Sequence, residues 1–207
     1  MAQPTTDVAF TASVKALQSR AGSRAAYARL EEQGGFEDRV TPKLAAFVAE
    51  RDSFYLATAS ADGRPYVQHR GGPRGFLRVL DDRTLAFADF GGNRQYITLG
   101  NLAENDRAFL FLMDYATRRR IKVWGRARVV EDDPALLARL ADPSYDAVPE
   151  RAIVFTIEAW DTNCRQHIPV LVDAGEAAAA ADALRARIAA LERENRELRE
   201  RRAQCRT

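Results

Sequence analysis

Three stretches of the 207-residue chain combine cations with glycine or with free-amide positions, the residue types that hold an anion. In PYVQHRGG, Gln68, His69 and Arg70 end a strand-like run beside two glycines, which permit close approach to the backbone, so Arg70 is placed to meet phosphate. In FADFGGNRQY a strand pattern passes through Gly91-Gly92 to Asn93 and Arg94, where a helix expected over 93–105 would add unpaired amides and its dipole. In RRRIKVWGRARV, alternation sets Arg120, Lys122 and Trp124 on one face of a strand and Ile121 and Val123 on the other. Taken singly, each stretch has a plain alternative: a surface arginine, a capped turn, a solvated hairpin end.

Other reactive residue types are scarce. Cys164 and Cys205, with His69 and His167, are too few for a structural zinc site or a disulfide framework, so no metal is expected. Cys164 stands near Arg165 and His167, which favour a thiolate, yet a lone thiol after a strand is ordinarily inert. The formal charge of +2 points to neither nucleic acid nor membrane. No run of about 18 apolar residues is present to span a bilayer, and 1–10 is too polar for a secretory core, so a cytoplasmic location is expected.

The elements that must position these residues follow from periodicity. Up to Gln33, Val14, Leu17, Tyr27 and Leu30 give one or two helices that stop at Gly34-Gly35. Thr41-Pro42 opens another, with Leu44, Phe47 and Val48 as its apolar stripe. From Ser53 short apolar runs alternate with turn signals: FYLATAS, YVQHR, FLRVLDD and TLAFADF, with Asp62-Gly63 suited to a tight antiparallel hairpin. AFLFLM, IKVWGRARVV and AIVFTIEAW add strands, the last two flanking a helix that starts after Asp133-Pro134. The predicted fold is mainly β with helices, an α+β domain of six to seven antiparallel strands in a closed or nearly closed barrel. Three segments are expected: 1–40 helical, 41–173 the barrel domain, 174–207 a long helix.

The tail, from Glu176 to about Arg202, lacks Gly and Pro and repeats in heptads. Ile188 takes an a position, Leu184, Leu191 and Leu198 take d, and Asn195 falls at the next a, where it can pair with its twin in a parallel two-stranded coiled coil. Arg187 then faces Glu192 of a second chain, and Glu194 faces Arg199, both attractive. Cys205 falls at d, where oxidation would join two chains, although a free thiol is the cytosolic state. A single amphipathic helix on its own barrel is the alternative. A leucine-zipper DNA binder fails on order, because Ala and acidic residues stand where a basic region should precede the zipper.

From about Thr41 to Trp160 the chain resembles the pyridoxamine 5'-phosphate oxidase-like family of FMN-binding split barrels. FYLATASADGRPYVQHRGG, LAFADFGGNRQYITLGNLAEND and RRRIKVWGRARVV carry the likeness. The resemblance implies a split barrel that is a homodimer with flavin at the subunit interface. It places Val67, Gln68, His69 and Arg70 along the flavin, Ala88 and Asp89 facing it, and Asn93, Arg94 and Gln95 at its phosphate. It sets Arg120, with Lys122 near it, at a Gln position that reaches the FMN of the other subunit. Two departures stand out. Gln95 replaces the usual Lys of the phosphate site, and the oxidase's C-terminal segment for the vitamin phosphate is replaced by Trp160, Asn163, Cys164, His167 and the tail. Vitamin B6 synthesis is therefore not expected.

The resemblance implies an FMN-dependent oxidoreductase on a small substrate, with NAD(P)H as a candidate reductant and Trp160 and His167 as substrate-side candidates. Two alternatives stand beside it: a non-catalytic flavin or haem carrier or sensor whose coiled coil docks, and a deazaflavin-dependent reductase.

Overall fold

The computed structural model describes residues 4–162 and 164–204, so Asn163 and Cys205 lie outside the described residues. It divides into two compact units. The first contains helices α1 (Ala12–Arg20), α2 (Arg24–Glu32) and α3 (Pro42–Ala49), then strands β1 (Ser53–Ala59), β2 (Pro65–Gly71), β3 (Arg78–Val79) and β4 (Thr84–Phe90). It continues with α4 (Ile97–Glu104), β5 (Arg107–Asp114), β6 (Arg119–Val130), α5 (Pro134–Leu140) and β7 (Pro149–Thr162). The second comprises Tyr115–Thr117 and the segment carrying α6 (Ala174–Gln204).

The strands form one seven-stranded antiparallel sheet in the order β2-β1-β5-β6-β7-β4-β3. The expected hairpin joins β1 to β2, with Gly63 at φ +83°, a conformation that only glycine adopts without strain. Strand alternation sends Phe54, Leu56, Leu110, Leu112, Ile121, Val123, Phe87 and Phe155 to one buried interior. Phe54 meets the ring of Phe87 edge-on at 5.1 Å, so β1 and β4 face each other across this interior although the sheet order separates them. The sheet has curled on itself, but β2 and β4 share no backbone ladder. Side chains close that seam, which is what makes the barrel split.

Local chemistry fixes the helices. Thr41 accepts the Leu44 amide at 3.2 Å with Pro42 at the first turn, and Asp133 accepts the Leu136 amide at 2.8 Å with Pro134 likewise. Before the barrel, Lys15 reaches Asp7 at 2.6 Å and Glu31 at 3.3 Å, while Arg24 also grips Glu31, tying α1 to α2.

Two expectations shift. FLRVLDD pairs over Arg78 and Val79 alone, because Gly75 at φ +77° and the turn closed by Leu80 N–H to Thr84 O, 2.8 Å, bound the strand on both sides. The helix expected over 93–105 begins at Ile97: Arg94 and Tyr96 have φ of +58° and +55°, incompatible with a right-handed turn.

Between Trp124 and Gly125 the β6–β7 register shifts, with Glu158 of β7 as the extra residue of a bulge. A Cβ at Gly125 would run into Thr156 O and lie 2.6 Å from the Phe155 ring, so this close approach needs glycine.

Candidate functional site

The seam between β2 and β4 opens into a cleft of about 230 Å³ beside the start of α4 and of β7. Three side chains of β2, Tyr66, Gln68 and Arg70, line it because they share one face of the strand. The opposite wall is Asn93, Arg94, Gln95 and Tyr96, and Asp89 and Arg151 form its floor.

Asp89 is the pivot. It is buried at 5% exposure, with Arg70 paired to one carboxylate oxygen and Arg151 donating to the other at 3.2 Å. Arg151 is opposite Asp89 in the β4–β7 register and also meets Glu150 at 2.8 Å. Burial alone would lower the Arg151 pKa, but the hydrogen bond and charge of Asp89, with Glu150 and Glu131, outweigh it and hold the guanidinium above its ordinary value. Thr98 donates to the Gln68 side-chain oxygen at 2.7 Å, fixing the amide that faces the cleft.

The loop 91–96 is shaped by a side-chain hydrogen bond where the helix start was expected. The Asn93 side-chain oxygen accepts the Gln95 amide at 3.2 Å, an Asx turn that holds the left-handed backbone of Arg94. Arg94 is exposed and pairs with no acidic side chain among the described residues. The buried Nε of Arg70 has no hydrogen-bond partner, whereas that of Arg151 lies 3.3 Å from a Glu131 carboxylate oxygen, and a Cβ position at Gly92 faces open space. An unpartnered guanidinium donor, an exposed cation and an open glycine are a donor set that suits an oxyanion such as a phosphate monoester.

The structure thus brings Gln68, Arg70, Asp89, Asn93, Arg94 and Gln95 into one cleft. It sends others elsewhere. Val67 and His69 point to the outer face of β2, where Val67 is 59% exposed and His69 meets Tyr55 edge-on. Ala88, next to Asp89, points the other way into a small cluster with Leu140, Ala152 and Val154. Lys122 pairs with Asp161 at 3.0 Å and lies 5.0 Å from the Trp124 ring. Arg120 lines a separate cleft at the far end of β7. Trp160 belongs to the core, its indole N–H donating to Arg39 O at 2.7 Å, so within this chain it ties the N-terminal segment to β7. His167 is exposed with φ +61°, and Cys164 is exposed and free. Among the described residues no cluster of His, Cys, Asp and Glu has the arrangement of a metal site, and no helix is long and apolar enough to cross a membrane.

Arg151, Glu150, Tyr96 and Thr98 were not singled out from the sequence. The one available signal was Arg151 just before the apolar run AIVFTIEAW, but its importance lies in the pairing with Asp89, 62 residues away.

Comparison with known proteins bears on this geometry. The family described as pyridoxamine 5'-phosphate oxidase matches residues 40–164, more than half of the chain. No curated protein matches. Among solved structures, an FMN-binding protein from Syntrophomonas wolfei is 15% identical with a TM-score of 0.48, covering 70% of this chain and 97% of its own. HupZ from Group A Streptococcus is 16% identical with a TM-score of 0.49, covering 64% and 99%. A Clostridium acetobutylicum protein related to general stress protein 26 of B. subtilis, of the pyridoxinephosphate oxidase family, is 15% identical with a TM-score of 0.45, covering 63% and 92%.

Proposed function

This chain belongs to the pyridoxamine 5'-phosphate oxidase family, and on that premise we propose that it is an FMN-binding homodimer that acts as an oxidoreductase on a small substrate. The observation that carries the reading is the convergence of Gln68, Arg70, Asn93, Arg94 and Gln95 on one cleft in which the buried Arg70 Nε lacks a partner. In this reading Arg94, the loop amides around Asn93 and the Arg70 Nε hold the phosphate, and Gln68, oriented by Thr98, meets the polar chain behind it. Gln95 brings no charge where the family's usual Lys stands, and Arg70 takes over that task. Bound flavin contributes hydride or electron transfer at its ring, while the protein contributes orientation and electrostatics.

A cleft of about 230 Å³ is below the roughly 300–1,000 Å³ of a site that encloses a whole cofactor. The ring therefore extends beyond one chain, and a second copy completes the site. The outer face of β2, β1, β5 and β6 favours this. It presents Tyr55, Val67, Phe109 and Phe111 in adjacent register, an apolar surface that a second copy would cover. Arg120 and Lys122 of the partner are then the residues that approach the flavin from across the interface.

The visible spectrum of protein purified without added cofactor tests the reading. Bands near about 370 and 450 nm are expected for flavin. A Soret band would replace flavin with haem, a single band to the blue of 450 nm would favour a deazaflavin, and a colourless protein that does not take up FMN would sink the proposal. Anaerobic addition of NADH or NADPH should bleach the flavin bands. Bands that no donor bleaches would make the protein a carrier rather than an enzyme.

A further inference from the structure

The flavin site makes no use of α6. Along Ala174–Gln204, Ala181, Leu184, Ile188, Leu191 and Leu198 recur at heptad a and d spacing and so share one face of the helix. That face is open within one chain, where Leu184, Ile188, Leu191 and Leu198 are 65%, 55%, 45% and 58% exposed. The charges that flank it are unengaged as well. Arg187, Glu192, Glu194 and Arg199 form no ion pair among the described residues, whereas Arg185, one turn earlier, is held by Asp182 at 2.6 Å.

We propose that this face is covered by α6 of a second copy of the chain, the two helices running parallel and in register. The pairing rests on the homodimer reading only in needing two copies, and it needs neither flavin nor the sheet face. Ile188 at an a position, with Leu184 and Leu191 at the neighbouring d positions, favours two strands over three or four. Charge alone does not select the direction. In the parallel arrangement Arg187 of one copy meets Glu192 of the other, and Glu194 meets Arg199. In the antiparallel register that sets Ile188 against Leu191, Arg187 meets Glu194 and Arg185 meets Glu192, which is attractive too. Asn195 separates the two. Parallel pairing sets it against its own copy, where each amide donates to the other. The antiparallel register sets it against Leu184, and a parallel pair slipped by one heptad sets it against Ile188; either leaves a desolvated amide without a partner. Direction and register are fixed by the same residue.

Disulfide trapping in the full chain, with Cys164 and Cys205 replaced by Ser, tests it. Leu198→Cys should join two chains under oxidised glutathione at low protein concentration, because in the parallel pair residue 198 faces its own copy. In the antiparallel register Leu198 lies opposite Ala181, so the two copies of residue 198 stand about 25 Å apart at 1.5 Å per residue, far beyond disulfide reach. Leu184→Cys should crosslink likewise and serves if the end of the helix is disturbed. Arg193→Cys, at f on the far side of the helix, should not. At low salt, Glu192→Arg in the Leu198→Cys chain should lower the crosslinking rate by about threefold or more, since two symmetric contacts turn from attraction to repulsion. Adding Arg187→Glu should restore it, whereas in the antiparallel register that second change would set two acidic groups together. Absence of a crosslink at both 198 and 184, equal crosslinking at 193, or failure of the double exchange to restore the rate would each overturn the proposal. A protein that does not take up FMN would leave the crosslink standing, and a flavin-bound dimer without the crosslink would remove only this pairing.

Discussion

Asp89 carries the highest electrostatic stakes of any single residue. Its carboxylate is flanked by Arg70 and Arg151, all three largely out of water. Asp89→Ala leaves two desolvated cations facing each other, and breaking such a buried set costs about 3–5 kcal/mol. Urea unfolding of the variant should show that loss, whereas Asp89→Asn, which keeps one acceptor, should lose less; equal stability of Asp89→Ala and the parent would mean solvent reaches the pair. Arg94 differs, being exposed and held only by its loop. Arg94→Ala should leave stability within about 0.5 kcal/mol, as for ordinary surface changes, and weaken FMN by about tenfold or more through loss of a charge-assisted phosphate contact. Urea unfolding reads the first and equilibrium titration of FMN fluorescence the second, and unchanged affinity would move the phosphate elsewhere.

Among the elements, β6 and the N-terminal helices make the sharpest predictions. Gly125→Ala inserts a methyl against the Thr156 carbonyl and the Phe155 ring, with backbone that cannot step aside as a flexible side chain would. A loss of about 3 kcal/mol is expected in thermal or urea melts, the upper part of the overpacking range; a neutral result would mean the bulge relaxes. Glu31 joins α1 and α2. Its hydrogen bond from Arg24, then that from Lys15 and both charges, hold its pKa below the usual carboxylate value against the opposing effect of burial. A depressed folded pKa means that the stabilisation is fully present above about pH 4.5, the unfolded value, and is lost as pH falls through the lower folded one. Acid titration followed by circular dichroism should therefore show Glu31→Gln narrowing its deficit relative to the parent below that pH, and a pH-independent deficit would exclude linkage through this group.

These elements also mark how far the sequence could be read. Strands and helices whose cause is local were legible: the Thr41-Pro42 and Asp133-Pro134 helix starts, the Asp62-Gly63 hairpin and the alternation of β5, β6 and β7. The cluster Gln68 to Arg70 was legible as a run, but which side chains share a face depends on the strand's orientation to the barrel, and the structure splits Gln68 and Arg70 from Val67 and His69. The helix expected from Asn93 gave way to an Asx turn, because the Asn side chain competes with the backbone for the same amides. Arg151 was invisible because its role comes from a strand pairing closed late in the chain, and Trp160 because an exposed and a core indole look alike in one sequence.

For the molecule as a whole, the homodimer proposed above has two candidate contacts, the long helix and the sheet face. In α6, Leu184, Ile188, Leu191 and Leu198 remain exposed along the heptad stripe within one chain. Four heptads, the first built on alanine, hold a coiled coil only weakly, so the sheet face should dominate. Removal of the residues after Asp173 should leave a dimer by sedimentation, with a higher dissociation constant. A monomer would assign the interface to the helix and detach the flavin reading from the outer sheet face.

The buried Asp89 has one further consequence. Any anion that enters the first cleft finds both arginines already engaged by a resident counter-ion. Entry is then an exchange rather than an addition: the newcomer must take donors that Asp89 leaves idle, or draw a guanidinium partly away from it. Small, weakly charged anions are expected to gain little from that trade. A doubly charged group with several acceptor oxygens gains more, so the carboxylate at the floor of the cleft acts as a threshold, and selectivity begins before the rest of a ligand makes contact.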